Sequence, residues 1–444
     1  MKIQLSDHFS YGKLIRFTMP SIIMMIVTSV YIVVDGFFVS NFAGKTAFTA
    51  VNLVMPVLMI LGTVGFMFGT GGAALVSMTY GAGQKEKANA YFSLLTYVAA
   101  GVGAVLAVVG ITLIRPLAAL LGAEGELLEH CVVYGRIFLA ALPFFLLQVM
   151  FQSFFAAAEK PNLGLLVTVA AGVTNMVLDA LLVPLLPMEY KLMGAAVATT
   201  VAEVVGGAIP LMYFFRKNSS ILRLGKTSFD AKAIVRACAN GSSEFMSNVS
   251  MNLVGILYNL QLMAYAGEDG VAAYGVMMYF SMIFSSAFMG YSIGVTPVIG
   301  FHYGAQNHGE LRSLLRKSLY LIGFFGAAMV ASAEVLALPV SRIFVGYDQN
   351  LLELTVSGFR IFGLCFAFMG FGIFVSGFFT ALNDGLTSAL ISFVRTLVLQ
   401  SAAILILPRL WGINGVWISV VAAEFMSLVL GSAFLVGKRK KYRY

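Results

Sequence analysis

The chain has 444 residues, 59% of them hydrophobic and only 11% charged, with a formal net charge of +8 and a mean hydropathy of +0.90. A soluble fold has no interior large enough to hide that much apolar surface, so the composition points to a polytopic membrane protein. The positive balance does not mark a nucleic-acid binder, because the basic residues lie in short loops and tails between apolar runs.

The first apolar run, residues 17–41, is long enough to cross a bilayer as a helix. It has no clear A-x-A cleavage site and exceeds a typical signal-peptide core, so it reads as a retained helix. It carries one carboxylate, Asp35. A charge in hydrocarbon costs at least ~2.5 kcal/mol on the most lenient scale, so Asp35 needs a partner, a proton, an ion or a water-filled cavity. Taking the apolar runs in turn predicts twelve helices, near 15–41, 46–78, 89–114, 127–157, 162–186, 192–215, 236–265, 269–301, 312–338, 351–382, 385–407 and 412–436. Several exceed the ~20 residues that a span needs, which predicts tilt or protrusion into water. Pro20, Pro56, Pro143 and Pro297 fall inside predicted helices, where neighbours can satisfy the carbonyls they free.

Lys2, Lys13, Lys85, Lys87, Lys160, Arg216, Lys217, Arg223, Lys226, Lys232, Arg312, Arg316, Lys317 and the tail Lys438–Arg443 fall on one side. The other side holds only Lys45, Arg115, Lys191, Arg342 and Arg409, beside Glu124, Glu126, Glu268 and Asp269. The positive-inside rule then predicts cytoplasmic termini in a plasma (inner) membrane, and an even helix count, which keeps both termini on one side, agrees.

A polar stretch between Arg216 and Lys232 divides the chain. The expected organisation is an N-lobe at 1–215, a linking loop at 216–235, a C-lobe at 236–437 and a basic tail at 438–444. The halves resemble each other: Tyr80-Gly81-Ala82 and Tyr303-Gly304-Ala305 (303 − 80 = 223), Arg136-Ile137-Phe138 and Arg360-Ile361-Phe362 (360 − 136 = 224), Phe154-Phe155 and Phe378-Phe379 (378 − 154 = 224), and Gly194 with Glu203 against Gly415 with Glu424 (424 − 203 = 221). Six helices per half means both insert with the same orientation, as parallel repeats about an axis along the membrane normal, with a central cleft between them. The predicted fold is an all-α membrane protein of two pseudo-symmetric six-helix lobes.

Asp35, Asp179 and Thr199 each lie about six or seven residues from the outer end of their helix, roughly 10 Å below the surface at ~1.5 Å per residue. Asn175 is one turn deeper than Asp179 on the same face. These four residues therefore gather at one level of the first half, and the matching segments of the second half, near Tyr258 and Ser401, carry no carboxylate. Two carboxylates in one apolar site cannot both carry charge cheaply, so the pair exchanges a proton as a unit. The same oxygens also suit Na⁺. The alternative is that both aspartates only cap polar neighbours or line water.

Glu244, beside Gly241, Ser242 and Ser243, is a second candidate for coupling or for recognising substrate charge, against a plain ion pair with Arg236. Glu203 and Glu424 are repeat-related, which favours a structural role. Arg395 needs a counter-charge that the sequence does not identify, and Glu334 reads as solvated. The 23 Met and 37 Phe could form an adaptable binding wall, though such residues are more often packing surface. Cys131, Cys238 and Cys365 lie too far apart to read as a metal set. No phosphate-binding loop, H-E-x-x-H or nucleophile elbow is present, and the glycines of 62–72 lie within a membrane helix, where they mean close packing. The chain reads as a non-enzyme without a cofactor, and uphill transport would need an ion gradient, H⁺ or Na⁺.

With Pro20 and Asp35 in the first helix, Gly81-Ala82 after the second, Asn175-x-x-x-Asp179 in the fifth and the repeat near offset 223, the chain resembles the multidrug and toxic compound extrusion (MATE) family, bacterial drug-exporter branch, over nearly its whole length. The resemblance implies a monomeric antiporter that exports amphipathic, often cationic small molecules across the bilayer in exchange for H⁺ or Na⁺. It implies an N-lobe cation site at Asp35, Asn175, Asp179 and Thr199, with Glu244 like an acid used in the C-lobe of other branches. A further C-lobe acid found in some members is missing from the tenth helix, which favours the N-lobe. The alternative is a flippase for lipid-linked precursors or polysaccharides in the related superfamily; it predicts a basic central cavity, whereas the mid-helix charges here are mostly acidic. A receptor or scaffold would predict a sizeable soluble domain.

Overall fold

The structure is a computed structural model that describes residues 3–444, so Lys2 and the Lys45 side chain, both used above for orientation, lie outside the described residues. The described residues form helices with no strand. Eight apolar helices are long enough to span a membrane, and two bent pairs add two more. Two of the eight are themselves broken at a glycine, Gly267 (φ +62°) and Gly412 (φ +57°). Dividing them there gives twelve: α1 (Tyr11–Ala43), α2 (Lys45–Gly81), α3 (Lys85–Leu120), α4 (Gly125–Ala140 and Leu142–Ala157), α5 (Pro161–Leu185), α6 (Lys191–Phe215), α7 (231–266), α8 (268–304), α9 (His308–Val345), α10 (Gln349–Gly363 and Phe366–Ala381), α11 (385–411) and α12 (413–442). This is the multi-pass architecture of two six-helix lobes.

The backbone carries the repeat more clearly than the side chains do. Gly44 and Gly267 both have positive φ at the α1–α2 and α7–α8 corners (267 − 44 = 223). Gly83 and Gln306 (306 − 83 = 223) and Glu159 and Asn383 (383 − 159 = 224) match in the same way. The bends of 57° in α4 and 45° in α10 fall at equivalent places. Pro116 and Pro339, and Pro184 and Pro408, are in-helix pairs at offsets of 223 and 224.

The lobes meet along α2 and α8, and a pseudo-twofold relation is visible in the contact. A Cβ on Gly81 would lie 2.1 Å from the Phe301 carbonyl, and one on Gly304 would lie 2.0 Å from the Met78 carbonyl. Gly71 and Gly241 bring α2 equally close to α7. Only glycine allows such backbone approach, and small-residue contacts of this kind let membrane helices pack closely. These approaches lie toward the face that bears both termini.

The lobes also exchange ends at that face. Leu5, Phe9, Leu14 and Phe17 pack into an apolar cluster otherwise built from the second half. Ala233 and Ala237, at the start of α7, join one built from the first. The segment before α1 is held in place: Leu5 N–H donates to Glu159 (2.8 Å), Phe9 N–H donates to Glu310 (2.9 Å), and Lys317 donates to the Phe9 carbonyl (2.5 Å). The linker is pinned to α3, with Arg223 N–H donating to Asn89 (2.8 Å) and Gly225 N–H to Ser93 (3.0 Å). Helix α7 begins at residue 231, five residues before the predicted start, because the Asp230 side chain caps it by accepting from Ala233 N–H (3.1 Å). The basic tail is helical to Tyr442, since Lys438 and Tyr442 donate to Asp384 (2.6 and 2.7 Å). Burial alone would raise the Asp384 carboxyl, but the bonds from Lys438, Tyr442 and Thr387 outweigh it and hold it below the usual carboxylate range.

Candidate functional site

Helical spacing and helix packing assemble the first-lobe site. Asp35 sits near the end of α1 and is 7% exposed; Asn175 and Asp179, one turn apart on α5, are 1% and 0% exposed. Gly172, one turn before them, lets the Tyr31 ring of α1 approach α5: a Cβ there would stand 3.2 Å from it. Thr199 enters from α6, where Ala195 and Ala198 keep the helix thin. Its hydroxyl donates to Asp35 (3.4 Å) or to the Ala195 carbonyl (3.2 Å) and accepts from the Asn175 amide (3.4 Å). The Asp35 and Asp179 carboxyls face each other. All four residues expected to meet do so.

The polar balance of this cluster is unusual. Asn175 Oδ1 and both carboxyl oxygens of Asp179 are buried with no donor from the described residues. Buried acceptors are normally paired, and leaving one unpaired costs ~1–3 kcal/mol, more for a charged group. Oxygens aimed at one another with no donor between them can hold a shared proton or a small hard cation. They are two carboxyls, an amide oxygen and a hydroxyl, a set that fits either occupant. No group of three or more His, Cys, Asp or Glu with metal-type geometry occurs among the described residues.

Three further polar side chains border the cluster. Tyr134 is fully buried next to Thr199, Tyr31 is within electrostatic range of both Asp35 and Glu203, and Glu203 is 5% exposed within electrostatic range of Asp35. Sequence reasoning passed over the two tyrosines and set Glu203 aside as structural. The signal was available in the spacing, since Tyr31 precedes Asp35 by one turn and Glu203 follows Thr199 by one turn.

The second lobe is built differently. The counter-charge of Arg395 is Glu424: Nε and Nη2 donate to the two carboxylate oxygens, each at 2.9 Å, and Gln400 adds a bond at 3.4 Å. Glu244 makes no ion pair with Arg236, which is exposed. It instead borders a cavity of about 240 Å³, facing Arg395. Met251, Met278, Met289 and Met369 line that cavity together with Ser247 and Ser281, giving an adaptable apolar wall with scattered hydroxyls. Glu334 meets Arg360 at 3.6 Å on the surface.

This geometry has relatives. Multidrug export protein MepA of Staphylococcus haemolyticus is 23% identical over 432 residues, 97% of this chain and 94% of that protein. MepA of Staphylococcus aureus is 24% identical over 434 residues, 96% and 93% respectively. Among solved structures, a MATE protein in complex with MaL6 superposes with a TM-score of 0.92 at 23% identity, covering 98% of both chains. An outward-facing multidrug resistance MATE family transporter gives 0.92 at 23% identity, covering 100% of this chain and 98% of that one. Residues 20–181 and 245–404 match the MatE family, so each half contributes one matching block and the chain belongs to that family.

Proposed function

We propose that the protein is a secondary active multidrug efflux antiporter of the plasma (inner) membrane, with cytoplasmic termini, that exports amphipathic cations in exchange for H⁺ or Na⁺. The observation that carries this reading is the buried Asp179, whose oxygens face Asp35 with no donor between them. A site of that kind is costly when empty and charged, so its occupancy by a cation changes the packing of α1, α5 and α6. Movement of one elementary charge through 100 mV supplies ~2.3 kcal/mol to the exchange.

Asp35, Asn175, Asp179 and Thr199 are then the coupling residues. Glu244 supplies the negative charge, and the methionines the adaptable surface, that an amphipathic cation needs. The relatives named as multidrug export proteins support the direction of transport. Residues 1–215 and 236–437 would move as two units about the α2–α8 crossing, in a monomer. A flippase reading finds no support, because Arg395, the arginine that could have held a phosphate, is neutralised by Glu424.

The test is efflux of a fluorescent cationic dye from proteoliposomes, driven in turn by a pH gradient and a sodium gradient. Efflux under one gradient that vanishes in Asp35→Asn supports the reading. Undiminished efflux by Asp35→Asn removes the site from the mechanism.

A further inference from the structure

We infer that Glu203, with Tyr31 and Gln148, forms a second cation station in the first lobe, one helical turn along α6 from Thr199, that takes up a small monovalent cation of its own. The inference rests on the coupling reading above and adds an ion-binding group to it. Glu203 is 5% exposed, and its Oε2 is buried with no donor. The titratable groups within electrostatic range of it are Tyr31 and Asp35 from α1 and Tyr134 from α4, none of them cationic. Gln148 and Gln152, one turn apart on α4, are 6% and 4% exposed, and each presents a buried side-chain oxygen with no donor. Gln148 packs directly against Gly206, one turn beyond Glu203 on α6: a Cβ there would lie 2.5 Å from the Gln148 amide carbon. Tyr31 lies beside Gln148 and within electrostatic range of both Glu203 and Asp35. The Glu203 carboxyl and the Gln148 amide oxygen thus lie within one turn of α6, and no ion pair to Glu203 occurs among the described residues.

The second lobe supplies the control. Glu424, the repeat counterpart of Glu203, is 0% exposed and is neutralised by the bidentate Arg395. Residues 171 and 172, at the repeat offset from Arg395, are Ala171 and Gly172, so the first lobe has no arginine to play that part. A buried carboxyl can exist there as the neutral acid or as a carboxylate holding a cation such as Na⁺. Tyr31, within electrostatic range of both Glu203 and Asp35, couples the charge state of this station to that of the Asp35–Asp179 pair.

The test is infrared difference spectroscopy on the full-length protein in nanodiscs, low pH against high pH, with and without sodium, paired with the pH profile of dye transport. In Glu203→Gln, one carboxylic-acid carbonyl component is lost and the transport profile loses one titrating step; Glu203→Asp restores both, which a purely structural role would not do. If sodium at fixed pH removes that component only when Glu203 is present, the station also takes Na⁺. Spectra and pH profile of Glu203→Gln identical to the unaltered protein overturn the inference. In that case, abolished coupling in Asp35→Asn leaves the antiporter reading standing, whereas intact coupling in Asp35→Asn defeats that reading separately.

Discussion

The two lobes place a glutamate at matching positions, and the surroundings of each decide what it can be. Glu424 of α12 is locked by Arg395 and supported by Gln400. Glu203 of α6 has Tyr31, Tyr134 and Asp35 within electrostatic range and no ion-pair partner among the described residues. The second lobe ties Glu424 into a fixed ion pair, while the repeat-related Glu203 has no such partner among the described residues. Internal duplication therefore conserves the scaffold, down to positive-φ corners and helix bends, without conserving the chemistry.

The largest effect should come from the first-lobe pair. Asp35→Asn or Asp179→Asn removes the exchanging cation, and with it, where two H⁺ or Na⁺ enter per monovalent dye, an accumulation ratio of about 50-fold for the one net charge moved through ~100 mV. Gradient-driven dye uptake into inverted vesicles measures it; Glu244→Gln in the same assay should weaken cationic substrates far more than neutral ones. Next, Arg395→Met leaves Glu424 buried and unpaired, which costs ~3–5 kcal/mol, whereas the double change with Glu424→Gln should recover most of that loss. Thermal unfolding of the detergent-solubilised protein reads this out. A double variant no more stable than the single one would mean the pair is not the isolated structural unit described here.

A smaller effect is expected at the seam between the lobes. Gly71→Val puts side-chain atoms where the Ala237 carbonyl already stands, 2.0 Å from the first added carbon. The helices must part at the termini-bearing face, so cysteine accessibility there should rise while the fold persists. The smallest concerns Asp384, whose carboxyl is held below the usual range by Lys438, Tyr442 and Thr387 against the effect of burial. A group with a depressed folded value stabilises above its unfolded pKa of ~3.9 and loses that contribution as pH falls through the folded value. Tail docking should therefore be constant at neutral pH and weaken only under strong acid. Asp384→Ala, which also removes the α11 cap, should cost ~1 kcal/mol at pH 7 and abolish the acid dependence, as proteolytic release of the C-terminal turn would show.

The spans, the two halves and the four-residue cluster were legible in the sequence because each depends on local arithmetic. Length and apolarity give a span, a constant offset gives the repeat, and distance from a helix end gives depth. Arg395 shows where that arithmetic stops. Its partner Glu424 is 29 residues away on another helix, and only the crossing of α11 and α12 decides that they meet. The same holds for Glu203, because repeat symmetry with Glu424 does not reveal that the first lobe has no arginine at the position matching Arg395. The docked ends were also hidden: Lys438 and Tyr442 read as a basic tail, but Asp384, held in the α10–α11 turn, draws them into helix. Glu244 stands out in the sequence as a buried acid, but the cavity it borders in place of an Arg236 ion pair depends on α8, α10 and α11 arriving together.

The most direct measurement is cation movement per exported dye in proteoliposomes under a voltage clamp set by potassium and valinomycin, for the unaltered protein, Asp179→Asn and Glu244→Gln. Dye-dependent proton or sodium flux should disappear in Asp179→Asn and persist per dye molecule in Glu244→Gln. Flux lost in Glu244→Gln but kept in Asp179→Asn would move the coupling to the second lobe and contradict the account.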